Sequence, residues 1–361
     1  MKIIHTGDIH IGSAFVGLPK DKAARRKAEL LDNFRLLCAY AKDNDVKAVL
    51  IAGDLFDEND VSAQVKNEVL SLIEGAAPVD FFYVLGNHDA NVRLHENSPE
   101  NFHTFSHAHG FLSYHLGENV TVTGADARHF EQAFSAPLSL CGEHYNVLLL
   151  HGTICENQPK NKDDIPLSYF RNQNVDYLAL GHIHKPMPLA ERLDFRGKYR
   201  YCGCLEGRGF DEVGERGFFL LEIQNGKLTD EKFLSFAKRK IVEQRVDISA
   251  CKTHFDVERA VETGVTNIPR EHVVKIVLCG RYKEGLRKDL PMLYSLLNDR
   301  FFFAKIEDES RLFIDYKSFE NDVTERGEFV REACRYEMNE DFRAEVLEIG
   351  LAALSGEEIE L

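Results

Sequence analysis

Val147-Leu148-Leu149-Leu150-His151-Gly152 and Tyr177-Leu178-Ala179-Leu180-Gly181-His182-Ile183-His184 follow one pattern: a short apolar run that stops abruptly at histidine. Three earlier stretches obey a similar rule. Ile3-Ile4 leads to Gly7-Asp8-Ile9-His10, Ala48-Val49-Leu50-Ile51 leads to Gly53-Asp54-Leu55-Phe56-Asp57, and Phe81-Phe82-Tyr83-Val84-Leu85 leads to Gly86-Asn87-His88-Asp89. Continuous apolar runs of this length read as strands buried on both faces. In an α/β sheet, ligands gather beyond the carboxyl ends of strands. Five strand ends can therefore aim Asp, Asn and His at one point.

Between the first two strands, Asp21 to Asp43 carries Leu30, Leu31, Phe34, Leu37 and Ala41 at helical spacing on one face. A second helix is expected from about Val61 to Glu74. This strand–helix–strand alternation predicts parallel pairing. Lys20, Lys22, Arg25, Arg26 and Lys27 cluster at the start of the first helix. A solvated helix end and a contact to a phosphate backbone account for them equally well.

After His184 the pattern changes. Arg216 to Phe236 reads as two strands around the tight turn Asn225-Gly226. Then come a strand at Ile241–Ile248, a helix at His254–Thr263, a strand at His272–Cys279, a helix at Lys288–Asn298, and strands at Phe301–Ile306 and Arg311–Asp315. The organisation expected is 1–237, 238–316 and a tail of 317–361. The tail is acidic and helical from Phe319 to Leu354, with Phe329, Val330, Ala333, Phe342, Val346, Ile349 and Leu354 as its apolar set. A stripe that a helix cannot bury on its own body can be buried on a partner.

The chain has 361 residues, 44% of them hydrophobic, and a net charge of −15. Residues 317–361 hold 5 Lys/Arg against 13 Asp/Glu, more than half of that excess. An acidic balance argues mildly against a nucleic-acid partner. Bound divalent cations would change the local sign. No secretory leader is expected, because Met1 runs straight into the first strand, and no stretch is apolar enough for a membrane span. Eight scattered cysteines in a chain of this size suggest reduced thiols and a cytoplasmic setting. Cys202-Gly203-Cys204 fits no common zinc spacing and is read as structural.

The five tips offer only oxygen and nitrogen donors, the set suited to a pair of divalent cations that clamp a phosphate ester. Asp8 and His10 lie two apart, as do His182 and His184, so each pair can lean toward one ion. Asp54 is the candidate bridge. Asn87 offers a neutral carbonyl, and His151 an imidazole. Singly, each residue is more often a turn cap or a satisfied polar group; the combination is what points to chemistry. His5 reads as core. His103, His107, His109 and His115 follow no strand end and are assigned to loops or surface.

Asp-x-His, Gly-Asp-x-x-Asp, Gly-Asn-His-Asp, a strand-end His and Gly-His-x-His, in this order over residues 8–184, resemble the calcineurin-like metallophosphoesterase superfamily. The resemblance implies an α/β sandwich of two β-sheets flanked by helices. It implies one metal ion on Asp8, His10, Asp54 and His184, and another on Asp54, Asn87, His151 and His182. His88 would stand beside the scissile phosphate as cation or general acid, with Asp57 orienting it. Ile4-His5-Thr6-Gly7-Asp8-Ile9-His10-Ile11-Gly12 resembles the opening of SbcD-type DNA repair nucleases. Gly207-Arg208-Gly209-Phe210-Asp211-Glu212-Val213-Gly214-Glu215-Arg216-Gly217 resembles the close of the nuclease domain in their YhaO branch. The following small α+β unit is similar to their DNA-capping domain in position and size, and Arg326-Gly327-Glu328-Phe329-Val330 to their terminal helical region. Gly7 stands where many relatives carry Ser.

The resemblance implies a nuclease dependent on two divalent ions, Mn2+ first among them, acting from 3′ ends of duplex DNA and nicking single strands in DNA repair. It also implies an SMC-like (SbcC-type) ATPase partner, no membrane, and leaves a homodimer open. Two alternatives stand beside it: a phosphoesterase for a small molecule or phosphoprotein, and a non-catalytic scaffold for the ATPase.

Overall fold

The computed structural model describes residues 1–57, 61–90, 92, 98–105, 110–283, 285–313, 315–319 and 321–354, and the side chains of all of these except 316, 317, 340, 341 and 352. His107 and His109 lie outside the described residues. The chain divides into two compact units, Met1–Lys240 and Ile241–Leu361.

The first unit is built on two six-stranded sheets. One runs in the order Lys227–Ser235, Gly217–Gln224, Lys2–Thr6, Val46–Ala52, Asp80–Val84 and Phe102–Thr104. Its last four strands are parallel and its first two antiparallel. The other runs Glu191–Arg192, Lys198–Tyr201, Tyr177–Gly181, Tyr145–His151, Val120–Gly124 and Leu112–His115. It is parallel through the middle and antiparallel at both margins. The parallel pairing expected from the helix between the first two strands is present.

Side-chain alternation explains why the strands are apolar on both faces. Ile3, Ala48, Leu50, Phe82 and Val84 meet Val122, Val147, Leu149, Tyr177 and Ala179 between the sheets. Ile4, Val49, Ile51, Phe81 and Tyr83 point the other way, onto Phe34, Leu37, Val69 and Ile73 of the helices Lys20–Asp43 and Ala63–Gly75. Leu148, Leu150, Leu178 and Leu180 pack on Phe130, Ala133, Leu167 and Phe170 of two short helices. The result is the expected sandwich of two sheets with helices outside.

The basic cluster at the first helix separates on folding. Lys20 and Arg25 are exposed, but Arg26 is buried. Its guanidinium donates to Glu29 at 2.7 Å, to Glu206 at 2.9 Å and to the Gly207 carbonyl at 2.6 Å. Glu29 also accepts from Arg239 at 2.6 Å. A phosphate-backbone contact is therefore closed to Arg26, which serves a buried ionic network.

In the second unit, Ile241–Asp247, Val273–Cys279 and Phe303–Asp308 form a parallel sheet in that order. The helices His254–Gly264 and Leu290–Arg300 intervene along the chain, and Val257, Val261, Leu293 and Leu297 pack with Val246, Val274 and Ile276. Its connections are those of a small α/β unit. The C-terminal segment forms two helices, Glu325–Arg335 and Glu340–Leu354, where one helical stretch was expected. Asn339 accounts for the break: its side chain accepts from Phe342 N at 2.7 Å, as an N-cap does. Val330 and Ala333 of the first helix pack on Leu347 and Leu351 of the second.

His5 is buried between the sheets, as the sequence suggested. Its Nε2 lies 3.2 Å from the Leu180 carbonyl and its Nδ1 3.0 Å from the Tyr177 hydroxyl. A carbonyl can only accept, so Nε2 carries the proton and Nδ1 accepts from the tyrosine. Burial, reinforced by Arg200, lowers this imidazole to about 3. The unfolded chain would protonate it near 6.5. Between those values the unfolded state binds the extra proton, so stability falls as pH falls, by about 1.4 kcal/mol per pH unit at most from this group. His5→Gln should flatten the fall in unfolding free energy between pH 6 and pH 4 by roughly that slope. Denaturant titrations across this range check it; an unchanged slope would refute the assignment.

Candidate metal centre

The site sits at the carboxyl ends of the central parallel strands of both sheets. Asp8, His10, Asp54, Asn87 and His88 come from the first sheet; His151, His182 and His184 come from the second. The strand ends do not simply run on. Asp8, His10 and Asp54 have φ of 49°, 49° and 48°, and His182 has φ of 99°. That left-handed region is uncommon for residues with a side chain and clusters at functional sites. Backbone bonds hold the first two tips together, Asp8 N to Gly53 O at 3.1 Å and His10 N to Asp54 O at 2.9 Å. Two glycines make room. A Cβ on Gly53, itself at φ 84°, would fall 2.1 Å from His151 Nδ1, and one on Gly86 would fall 2.1 Å from Asp54 Oδ1.

All seven candidate ligands come together. Asp8, His10 and His184 each place a donor within 4.8 Å of the others, and so do Asp8, Asp54 and His151. Asn87 Oδ1 lies 2.9 Å from His151 Nε2 and 3.1 Å from His182 Nδ1. His10 Nε2 and His184 Nε2 are 3.2 Å apart. Hydrogen bonds fix the tautomers. His151 Nδ1–H donates to the Ala52 carbonyl at 2.8 Å, leaving the Nε2 lone pair in the site. His184 Nδ1–H donates to Glu212 at 2.6 Å, leaving its Nε2 likewise. This is the arrangement in which an outer partner orients a metal-binding imidazole.

The donor set fits divalent cations on its own electrostatics. Asp8 and Asp54 are buried. Burial raises both carboxyls, Asp8 well above its ordinary value with the neighbouring Asp54 adding to it. His10 and His151 move the other way, His151 to about 4, chiefly because burial disfavours the charged ring. The pocket thus gathers neutral imidazole lone pairs, an amide oxygen and two carboxylates short of countercharge. Such acceptors repel one another unless a cation lies among them, and a cation restores both carboxylates to their ionised form.

His88 stands beside this set. Its ring is half exposed and 4.8 Å between centroids from His10, and its Nδ1 is 3.5 Å from Asp57 Oδ1. Its backbone N–H donates to Asp54 Oδ1 at 2.9 Å. The His182 N–H does the same for Asp8, 3.0 Å from each carboxylate oxygen. The histidines read as non-site residues stay away: His103 pairs with Asp80 and stacks on Phe82, and His115 lies against His144. Cys202 and Cys204 are free and buried, and burial pushes both thiols up.

Three supporting residues had no role in the sequence reading. Asp89 accepts from Leu55 N at 2.8 Å, from Gly86 N at 2.7 Å and from the Tyr83 hydroxyl, so it ties the second tip to the third. Burial, then Asp54, pushes its carboxyl up to about 6. Glu212 accepts from His184 and from Arg208 N at 2.6 Å. Burial opposes its charge, but His184 and Arg208 outweigh burial and hold it at about 2. The Arg208 guanidinium spans the gap between Glu212 at 3.3 Å and Asp57 at 3.8 Å, linking the partner of His184 to the partner of His88. Both lie in the glycine-rich stretch 207–217, a loop whose sequence carries no periodicity to single them out.

A sequence profile described as Calcineurin-like phosphoesterase matches residues 1–186. Over 325 residues the chain is 28% identical to the uncharacterized metallophosphoesterase YhaO of Bacillus subtilis (strain 168), covering 79% of this chain and 73% of that one. It is 24% identical over 311 residues to the DNA double-strand break repair protein Mre11 of Methanopyrus kandleri, covering 77% of this chain and 64% of that one. It is 24% identical over 271 residues to the SbcD subunit of the nuclease SbcCD from Staphylococcus saprophyticus, covering 64% and 68%. The chain belongs to the calcineurin-like phosphoesterase family, hydrolases that use divalent metal ions.

Removing the partner that orients a metal-binding imidazole typically weakens metal binding about 10–100-fold. Glu212→Ala should show a loss of that size for one divalent ion by calorimetric titration of the folded protein. Undiminished affinity for both ions would contradict the role given to Glu212.

Proposed function

We propose that the chain is a DNA nuclease dependent on two divalent cations, a 3′–5′ exonuclease on duplex ends and an endonuclease on single strands, working in DNA repair. What supports this reading most is the full complement of oxygen and nitrogen donors at five strand ends, together with relatives named as a double-strand break repair protein and a nuclease subunit. In this reading Asp8, His10, Asp54 and His184 hold one ion, and Asp54, Asn87, His151 and His182 hold the other. Mn2+ is the first choice, since carboxylate, amide and imidazole donors suit it. The bound pair supplies activated water and positive charge for the phosphate.

The chain's own residues do the rest. Asp57 beside Nδ1 steadies the His88 ring, which leaves the second ring nitrogen to give a proton to the departing 3′ oxygen. The Asp54 carboxylate is held by the His88 N–H, so the acid and the bridging ligand keep a fixed relation. Arg208 keeps Glu212 and Asp57 from moving apart. The 238–316 segment is assigned to DNA capping. Segment 317–361 is assigned to docking on an SMC-like (SbcC-type) ATPase, in the cytoplasm. No helix among the described residues is long and apolar enough to cross a membrane. Phe342, Ile349 and Leu354 on the last helix are exposed, although Leu347 and Leu351 on the same helix are buried. Phe342 and Ile349, seven residues apart, share one outward face, the form a partner helix would cover, while Leu354 falls on the side of Leu347.

Asp54→Ala should lose bound metal and activity together. His88→Ala should keep its metal and lose turnover by about 10²–10⁴-fold, the usual weight of a general acid. Metal analysis beside an assay on duplex and single-stranded DNA, with manganese, magnesium or chelator, tests both; full activity in either variant ends the assignment. Hydrolysis of a model diester with no DNA cleavage would favour a phosphoesterase for small molecules or phosphoproteins instead. Phe342→Asp combined with Ile349→Asp should leave DNA cleavage by the isolated chain intact and weaken capture of the ATPase at least tenfold. Equal capture would refute the docking assignment.

A further inference from the structure

A cavity of about 1100 Å³ opens beside the metal centre and shares Asn87 with it. Clefts that take small-molecule-sized groups span about 300–1,000 Å³, so this one has room for such a group and its approach. Its apolar wall comes from Phe130 and Phe134. The Phe134 ring is half-buried and held by neighbouring rings, with centroids 5.0 Å from Phe130, 5.2 Å from Tyr169 and 5.8 Å from Phe170. Exposed Arg128, Lys160 and Lys162 also line the cavity. The loop that carries the lysines is pinned, because Asp164 accepts from Lys160 N at 2.7 Å and from Asn161 N at 3.0 Å.

We propose that this cavity receives one nucleobase of the DNA strand whose phosphate lies at the metal centre. The inference rests on the nuclease reading of that centre and names the substrate group that the centre alone does not recognise. A phosphodiester seated at Asn87 must send one of its two nucleosides past it, and the cavity begins there. The lining matches a base better than a phosphate. Glu131, Asp163 and Asp164 also line the cavity and match the three cations in number, so the charge is balanced. A flat, neutral, hydrogen-bonding group suits a site that pairs aromatic rings with mixed polar groups, and the lysines and Arg128 suit the phosphates flanking it. Aromatic walls accept any base, because every base offers a π-face. The site would therefore favour bases over abasic sugar without favouring one base.

Oligonucleotides carrying a single tetrahydrofuran abasic residue immediately 5′ or immediately 3′ to the cleaved phosphate test this against the parent sequence. The wild-type chain should cut one of the two abasic substrates about tenfold more slowly than the parent, a size typical of one lost stacking contact. Phe134→Leu keeps an apolar wall without the π-face, and it should bring that ratio towards one. Equal rates on all three substrates with the wild type, or full discrimination retained in Phe134→Leu, would overturn the proposal. If the wild type cuts no DNA at all, the nuclease reading fails, and binding decides the cavity. Deoxynucleoside 5′-monophosphates should then bind at least tenfold more tightly than deoxyribose 5-phosphate in a calorimetric titration, and Phe134→Leu should remove the difference. Equal binding of the two would sink the cavity assignment as well.

Discussion

Two carboxylates, Asp8 and Asp54, are buried in one pocket at the ends of adjacent parallel strands, and most of the surrounding structure serves to make that arrangement tolerable. Each repels the other and each is cut off from water. Backbone N–H groups answer part of the charge: His182 donates to Asp8, and His88 to Asp54. These bonds cross between tips, and the one to Asp8 crosses between sheets. The charge that they leave unmet is what a divalent cation would answer. The electrostatic need and the architecture are one constraint, because the amides reach the carboxylates only if the strand ends curl.

That curl depends on residues that carry no chemistry. Gly53 and Gly86 occupy points where a methyl group would overlap His151 or Asp54. Asp89 uses its buried carboxylate to bind amides of two different tips, which ties two loops into one rigid body. Glu212 and Arg208 extend this rigidity to His184 and towards His88. Rigid support is what a metal centre needs from its outer partners, since ligand orientation is fixed there rather than at the ligands themselves.

The sequence disclosed the tips because strand period and ligand chemistry coincide there. A run buried on both faces, ending in Asp, Asn or His, is legible without an alignment, and all seven candidate ligands stand at such tips. The two sheets follow from the same runs, since each apolar residue in them has a layer to face. The rest was not legible for local reasons. Arg26 sits in a row of basic residues, and nothing beside it in sequence announces that Glu206 and Gly207 O will meet it. Glu212 and Arg208 come from a loop, where no periodicity marks which side chains turn inward. The break at Asn339 is a capping effect inside a helical composition, and composition alone runs straight through it. On the last helix, Leu347 and Leu351 rather than Val346 and Ile349 took the inward face, a choice of rotation that depends on the neighbouring helix.

The acidity of the chain, at first an argument against a nucleic-acid partner, carries less weight once the charges are placed. More than half of the net −15 lies in residues 317–361. Much of the remaining acid at the centre is already committed: Asp8, Asp54 and Asp89 to amides, Glu212 to His184 and Arg208, and Glu29 and Glu206 to buried arginines. Two divalent cations would bring four positive charges to a pocket whose candidate ligating carboxylates number two, with Arg208 alongside. Phosphate affinity in such a protein would be conditional on metal. In the proposed nuclease reading, the unloaded centre would repel a phosphodiester and the loaded one would attract it, so metal would control substrate binding as well as cleavage. A strongly basic surface would hold DNA whether or not the centre could cut it; an acidic chain with a metal-dependent local charge would not.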